Sequence, residues 1–272
     1  MIIVKIKDII RVATIHMTMI NSECGIRNSE LDQNSLRIDE LMKNGRKIIQ
    51  SRDEFCFSMD SVLLAHFPKL KRKYKVLDLG TGTGVMPLLI VDEVEHVEAI
   101  ELNSTMAEIA RRNVELNELS DKISVVEGDY RKLREFYKSE SFDLVLANPP
   151  YRAIGSGAVN EIEGVATARH EFTATLEDVV TAARFALKYH GIFCMIHITE
   201  RLCEIVDVFH RHQFEMKRLR LIQPKFNRPP NLMLIEAMVG GAPGSLKIDP
   251  PLIVHNDDGS YSDEFNAIYG LR

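Results

Sequence analysis

Short apolar runs alternate with longer amphipathic stretches through the middle of the chain, a pattern that few folds accommodate. Five apolar runs bounded by turn residues predict strands, at 76–79, 96–100, 123–126, 142–147 and 191–198. The stretches between them have helical periodicity, at 85–91, 104–116, 130–137 and 176–189. Strands that alternate with helices of this length predict βαβ units, and therefore a parallel sheet with helices on both faces.

Further elements flank this alternation. Before it, Ser58 or Asp60 is the expected N-cap of a short helix. After it, a predicted helix at 200–212 leads to two apolar runs, 216–222 and 232–239, which a proline-rich loop joins. Because the link is short, these two runs are expected to pair antiparallel at the edge of the sheet. The sequence therefore predicts an α/β fold with a seven-stranded, mostly parallel sheet and an antiparallel edge strand.

Composition and pattern divide the chain into four segments. Residues 1–35 mix β-branched residues with Asn, Ser and Glu, and we interpret them as an N-terminal extension that is disordered. Residues 36–74 are expected to add a small hairpin and helix to the main domain, which spans residues 75–241. The tail at 242–272 is rich in Gly, Pro, Asp and Asn and is expected to be mobile.

The composition excludes several classes of protein. The chain has 34 Lys and Arg residues against 39 Asp and Glu residues, so it could bind a polyanion only through a local basic patch. Its four cysteines form no CxxC pair and no cluster with zinc-ligand spacing, which predicts no metal and is typical of a reducing cytosol. No apolar stretch has the length of a membrane helix. We therefore expect a cytoplasmic protein without a membrane partner.

Alternating glycines follow the first strand of the alternation. Asp78 lies within this strand, and Gly80, Thr81, Gly82 and Gly84 come after it. The glycines allow a sharp turn and a close approach of a ligand to the main chain. A carboxylate inside the strand favours a cationic ligand over a nucleotide phosphate. The Lys-Ser/Thr pair of a Walker motif is missing, which argues against hydrolysis of ATP or GTP.

Acidic residues also follow the next two strands. Glu101, with Leu102 beside it, ends the second strand, where a carboxylate can accept hydrogen bonds from ribose hydroxyl groups. Asp129 follows the third strand, where it could accept a hydrogen bond from an adenine amino group while Tyr130 flanks the ring. Asp129 could equally be the N-cap of the following helix, and one residue can serve both purposes.

The tetrapeptide Asn148-Pro149-Pro150-Tyr151 follows the fourth strand and contains the predicted catalytic residues. Prolines lack N–H donors and restrict the backbone, which leaves the Asn148 side-chain oxygen and the Pro149 carbonyl as two fixed acceptors. Two acceptors can hold both hydrogens of a planar amine and direct its lone pair away from them. Tyr151 offers an aromatic face for stacking. Asn148 is also expected to line the cofactor site.

Together these motifs resemble those of class I S-adenosylmethionine-dependent methyltransferases of the amino-group type. In this resemblance, residues 78–84 match the cofactor loop, Glu101 the ribose acid and Asp129 the acid beside adenine. Enzymes with the Asn-Pro-Pro-Tyr signature methylate planar amino groups, including adenine N6 and the glutamine of release factors. The resemblance implies a Rossmann-like fold, with S-adenosylmethionine as cofactor and S-adenosylhomocysteine as product.

Three further blocks are similar to the bacterial tRNA1(Val) adenine N6-methyltransferase family. They lie at 50–65, 168–171 and 228–231, within a similarity that covers residues 36–241. The resemblance implies methylation of an adenine next to the anticodon in tRNA.

RNA contacts are expected at two groups of basic residues. One group is Lys225 and Arg228 with Phe226 between them, which could stack on a base, and the other is Arg169 and His170. Three alternative functions stay open. They are N5-glutamine methylation of a release factor, guanine-N2 methylation of rRNA, and cofactor binding without catalysis. The sequence does not predict the oligomeric state.

Overall fold

An eight-stranded mixed sheet is the centre of the computed structural model, which describes residues 36–41, 43–51, 58–151 and 174–271. The strands of these residues are β1 (Leu36–Leu41), β2 (Arg46–Ser51), β3 (Lys75–Leu79), β4 (His96–Glu101), β5 (Ile123–Glu127), β6 (Phe142–Ala147), β7 (Leu187–Ile198), β8 (Phe214–Lys225), β9 (Leu232–Val239) and β10 (Lys247–His255). Their α-helices are α1 (Met59–His66), α2 (Val85–Ile90), α3 (Ser104–Leu116), α4 (Leu176–Ala186), α5 (Leu202–Arg211) and α6 (Asp263–Tyr269). None of these helices is long and apolar enough to cross a membrane.

Five adjacent strands run parallel in the order β7-β6-β3-β4-β5. Side chains on both faces of β7, β6, β3 and β4 are fully buried, including Val76 and Leu77 of β3, Val97 of β4 and Val145 of β6, whereas β5, at the edge, buries only Ile123. Strands buried on both faces form continuous apolar runs in the sequence, and the five strands predicted on this basis are confirmed. Their carboxyl ends lie together at one edge of the sheet, which we call the carboxyl edge.

The other side of the sheet corrects three parts of the prediction. β8 and β9 pair antiparallel, as predicted, but this pair is not at the edge, because β9 also pairs antiparallel with β7 and another strand lies outside β8. β10 lies outside β8 and runs parallel to it, so the sheet has eight strands and not seven. Residues 247–269, predicted within a mobile tail, form this strand and α6, and they bury Leu252, Val254 and Phe265.

The helix limits follow from local capping. Ser58, one of the two expected N-caps, precedes α1 in an extended conformation. Asn103 caps α3, because its side chain accepts a backbone N–H of the first turn at 3.1 Å. The helix predicted at 130–137 is instead a 3₁₀-helix, Tyr130–Glu135, in which Lys132 departs from helical backbone angles.

Two asparagines attach the β1–β2 hairpin to the sheet domain, Asn113 of α3 and Asn117, the C-cap residue of this helix. Asn113 is fully buried, and its Nδ2 donates to the carbonyls of Ile49 (3.1 Å) and Thr83 (2.9 Å), while its Oδ1 accepts the Ile49 N–H. One turn later, Asn117 makes the same pair of bonds with the backbone of Lys47, at 3.0 and 2.7 Å. Since Thr83 belongs to the glycine loop, Asn113 holds both the hairpin and this loop.

Replacing Asn113 with alanine is expected to lower the free energy of unfolding by about 2–4 kcal/mol, because three backbone groups would lose their buried partner. Asn117→Ala is the matched control. Asn117 is only half-buried, so water can replace its bonds and the loss is expected to stay below about 1 kcal/mol. Urea unfolding monitored by circular dichroism measures both values, and equal losses would contradict the role given to Asn113.

Candidate active site

The register of the parallel strands brings the predicted motifs together at the carboxyl edge. Within β3, Asp78 lies opposite Leu146 of β6 on one side and Ala99 of β4 on the other. The glycine loop after β3 is therefore flanked by Glu101, which ends β4, and by Asn148, which follows β6. Three motifs that are distant in the sequence thus form one site.

The glycine loop needs its glycines for conformation and for space. Gly80, Gly82 and Gly84 have φ angles of +72°, +58° and +84°, in the left-handed region that side chains with a Cβ disfavour. A Cβ on Gly84 would lie 3.4 Å from the Cβ of Ala110, so the loop packs closely against α3. A Cβ on Gly82 would meet no atom of the described residues within 4 Å, so the backbone there faces open space.

Glu101 is held in place by main-chain amides. Its Oε2 accepts the N–H of Gly82 at 2.8 Å, and its Oε1 accepts the N–H of Asn103 at 2.9 Å. Leu102, beside it, is half-buried. These bonds fix the orientation of the carboxylate, and each oxygen keeps a second lone pair that can accept a hydroxyl hydrogen.

Asp78 is a fully buried carboxylate, and neither of its oxygens has a hydrogen-bond partner among the described residues. Burial raises the pKa of Asp78 to about 7. The nearby Thr81 hydroxyl opposes this rise, and the charge of Glu101 adds to it. The Thr81 hydroxyl is buried and likewise lacks a partner of good geometry among the described residues. Unsatisfied buried acceptors are rare in folded proteins, and a ligand that donates hydrogen bonds or carries positive charge would satisfy these.

Asp129 is the N-cap of the 3₁₀-helix Tyr130–Glu135, which is one of the two roles that the sequence allows for it. Its side chain accepts the N–H of Arg131 at 2.9 Å, and the Arg131 guanidinium binds both carboxylate oxygens at 2.6 to 2.9 Å. The hydrogen bonds from Arg131 hold the pKa of Asp129 below its ordinary value. Tyr130 faces the glycine loop, because a Cβ on Gly80 would lie 3.9 Å from its ring.

Asn148 is oriented by hydroxyl groups on both sides of its carboxamide. Its Nδ2 donates to Ser61 Oγ at 3.2 Å and to Ser58 Oγ at 3.4 Å, both at the start of α1. Its Oδ1 lies 3.2 Å from the Tyr151 hydroxyl. Pro149 is buried. The carboxamide nitrogen thus faces α1, which leaves the oxygen as the acceptor of this side chain.

Tyr151 is fixed at its hydroxyl, its ring and its carbonyl. The hydroxyl donates a short hydrogen bond to Asp60, and burial together with the charge of Asp60 raises the pKa of Tyr151. The ring packs against His197 with centroids 5.2 Å apart and planes inclined by 54°. The Tyr151 carbonyl accepts a hydrogen bond from Arg201 Nη1 at 3.2 Å.

Sequence reasoning missed Asp60, Ser61, His197 and Arg201 as neighbours of the tetrapeptide. The sequence predicts Asp60 only as a helix cap, and His197 lies in a strand that its apolar residues predict. His197 is 1% exposed, and burial together with the charge of Arg201 lowers its pKa to about 4. Its ring is therefore neutral at neutral pH and offers an uncharged surface to Tyr151.

Of the residues predicted to contact RNA, two are in the loop between β8 and β9, and a third is the last residue of β8. Phe226 is 81% exposed, and Arg228 is also exposed. The Thr199 N–H, just after β7, donates to the Asn231 carbonyl at 3.1 Å, so the loop adjoins the carboxyl edge. Lys225 ends β8 beside it. Arg169 and His170 lie outside the described residues.

Comparisons with known proteins show what the chain is similar to. A family model described as the methyltransferase small domain matches residues 57–210. The chain is 26% identical over 215 residues to a tRNA1(Val) (adenine(37)-N6)-methyltransferase of Photobacterium profundum, a match that covers 78% of this chain and 88% of the relative. A protein of the same name from Porphyromonas gingivalis is 29% identical over 198 residues, covering 70% and 75% of the two chains.

A solved structure supports the fold. A protein of Agrobacterium tumefaciens, described as a predicted O-methyltransferase, superposes with a TM-score of 0.63 at 24% identity and covers 78% of this chain and 96% of its own. The family model spans more than half of the chain and includes the glycine loop, Glu101 and the tetrapeptide. The resemblance inferred from the motifs is thus confirmed, and the chain is a methyltransferase that belongs to the methyltransferase small domain family.

Proposed function

We propose that the chain transfers a methyl group from S-adenosylmethionine to the N6 amino group of an adenine in tRNA, next to the anticodon. The observation that carries this proposal is the position of Asn148 and Pro149, whose acceptors stand at the carboxyl edge beside the glycine loop. The relatives named as tRNA1(Val) adenine N6-methyltransferases support the choice of nucleic acid and of base.

The site has the chemistry that this cofactor requires. The unpartnered oxygens of Asp78 and the open space at Gly82 suit a cationic ligand that approaches the main chain. We propose that Glu101 accepts hydrogen bonds from the ribose, and that Asp129 and Tyr130 lie on the adenine side. S-adenosylmethionine supplies, when bound, an electrophilic methyl group on a positively charged sulfur.

The tetrapeptide would prepare the amine for reaction. Asn148 Oδ1 and the Pro149 carbonyl would each accept one hydrogen of the adenine amine, which leaves its lone pair free on the opposite side. The nitrogen would gain the methyl group as the bond from that group to the sulfonium sulfur breaks, which leaves S-adenosylhomocysteine, and the surplus proton of the nitrogen would be released to water. Tyr151 would stack on the base that has been flipped out of the RNA. Most of the rate acceleration would come from positioning and from exclusion of water.

We propose that the loop between β8 and β9 binds the RNA around the target base. Phe226→Ala is expected to raise the KM for tRNA about 10-fold, because stacking of one base on an aromatic ring is lost. The affinity for S-adenosylmethionine, measured by calorimetry, is expected to stay unchanged. Tyr189→Ala is the matched control, since Tyr189 is 67% exposed but near the amino end of β7, at the opposite edge of the sheet. Equal effects of both substitutions on KM would contradict the proposal.

The acceptor can be identified with tritiated S-adenosylmethionine. The purified protein would be incubated separately with unmodified bulk tRNA, rRNA and release factor, and the label in each would be counted. We expect label in tRNA alone. Label in release factor would instead indicate glutamine methylation, and label in rRNA would indicate a ribosomal substrate. Either result would contradict tRNA as the acceptor.

A further inference from the structure

The Tyr151 hydroxyl stands between two acceptors that compete for one proton. It donates a short hydrogen bond to a carboxylate oxygen of Asp60, and it also lies 3.2 Å from Asn148 Oδ1. A phenol has a single O–H, so it can donate a well-directed bond to only one of them. A carboxylate is the stronger acceptor, and hydrogen bonds to charged groups are shorter and stronger than those between neutral groups. The proton therefore points to Asp60.

This competition determines whether Asn148 can act on a substrate. The carboxamide cannot turn away, because its Nδ2 is held by Ser58 and Ser61 of α1. If Asp60 did not accept the phenol proton, the hydroxyl could turn to Asn148 Oδ1, the other side-chain acceptor to which it lies within hydrogen-bond distance among the described residues. The oxygen required to hold an amine hydrogen would then already be bonded within the protein.

We infer that Asp60 is a positioning residue, which keeps the Asn148 oxygen free for the substrate amine by drawing the Tyr151 hydroxyl to itself. This inference rests on the proposed function of Asn148 as an amine acceptor. The N-cap and the first turn of α1 contact the tetrapeptide through three polar side chains, although α1 comes before β3 in the chain and the tetrapeptide comes after β6. These side chains are Ser58, Asp60 and Ser61.

A double-mutant cycle separates this role from a merely structural one. Asp60→Ala is expected to lower kcat for methyl transfer about 10- to 100-fold with little change in KM, since the amine loses one of its two acceptors. In the Tyr151→Phe background no hydroxyl is present to occupy Asn148, so adding Asp60→Ala is expected to change kcat less than about twofold. Asp60→Asn keeps an acceptor oxygen for the phenol but loses the charge that favours it over Asn148 Oδ1, so its kcat is expected to fall between those of the wild type and of Asp60→Ala. If Asp60→Ala lowered kcat by the same factor in the wild type and in Tyr151→Phe, the inference would be overturned.

A spectroscopic readout tests the same hydrogen bond without substrate. In protein labelled with ¹³C-asparagine, the carboxamide carbon of Asn148 can be assigned by its loss in Asn148→Ala. Its resonance is expected to shift in Asp60→Ala, where Oδ1 accepts the phenol proton, and to move back when Tyr151→Phe is added. A resonance that does not move in Asp60→Ala would overturn the inference even if methyl transfer fell.

The two experiments also distinguish failure of the inference from failure of the proposed function. If the unaltered protein methylates no tRNA, the proposed substrate is wrong, but the carbon resonance still reports whether Asp60 holds the Tyr151 hydroxyl. If tRNA is methylated and the cycle shows no coupling, the substrate stands and the role of Asp60 is wrong.

Discussion

Asn148→Ala is expected to lower kcat for methyl transfer at least about 100-fold, the loss typical of removing one preorganised polar contact in an active site. The substitution removes the oxygen that holds one amine hydrogen, so the lone pair of the nitrogen is no longer directed at the methyl group. The glycine loop, Asp78 and Glu101 are held by β3, β4 and their own backbone contacts and not by Asn148. We therefore expect the Kd for S-adenosylmethionine to change less than about threefold.

Isothermal titration calorimetry and single-turnover methyl transfer measure the two quantities separately. Asn148→Asp is the matched variant, because it keeps a side-chain oxygen while it loses the amide that donates to Ser61. We expect its kcat to fall between those of the wild type and of Asn148→Ala. Unchanged turnover in Asn148→Ala would refute the mechanism.

Asp78→Asn is expected to stabilise the protein without cofactor and to weaken cofactor binding. The folded pKa of Asp78, about 7, is higher than its value of 3.8 in an unfolded chain. A group with a raised folded pKa contributes stability that is complete below the unfolded pKa and is lost as pH rises through the folded pKa. For Asp78 this loss is on the order of 4 kcal/mol between pH 4 and pH 8.

Asparagine has nearly the same shape as aspartate and no charge to bury. The difference in free energy of unfolding between Asp78→Asn and the wild type should therefore be near zero at pH 4 and grow to several kcal/mol at pH 8. Urea unfolding of the cofactor-free proteins across this range measures it, with Asp121→Asn as the exposed control.

At pH 8 we expect Asp78→Asn to raise the Kd for S-adenosylmethionine about 100-fold, because a cationic ligand loses its buried counter-charge. A pH-independent difference in stability would contradict this account of Asp78.

The parallel part of the sheet could be predicted because its strands are short apolar runs bounded by turn residues. β10 could not, because Pro250 and Pro251 interrupt its pattern and only Leu252 and Val254 bury their side chains. Prolines are tolerated on an edge strand, and the register shifts between Asp249 and Leu252, where they lie. Apolar periodicity gives little signal for such a strand.

The candidate site, too, could be predicted from local sequence patterns only in part. Asp78, Glu101 and Asn148 could be predicted because each lies at or next to the carboxyl end of a strand, and parallel strands end at one edge. Asp60 could not, because its role depends on Tyr151, which is 91 residues away in the chain. A local pattern identifies Asp60 only as a residue of the first helical turn. His197 likewise lies next to Tyr151 only in the folded protein.

The central claim is that the amino group of adenine is the methyl acceptor, and nucleoside analysis tests it most directly. Unmodified tRNA would be incubated with the protein and S-adenosylmethionine, digested to nucleosides and analysed by mass spectrometry, with Asn148→Ala as the control. We predict N6-methyladenosine in the reaction with the wild type and its absence in the control. Methylation of guanosine, or of any ring nitrogen in place of the N6 amino group, would contradict the claim.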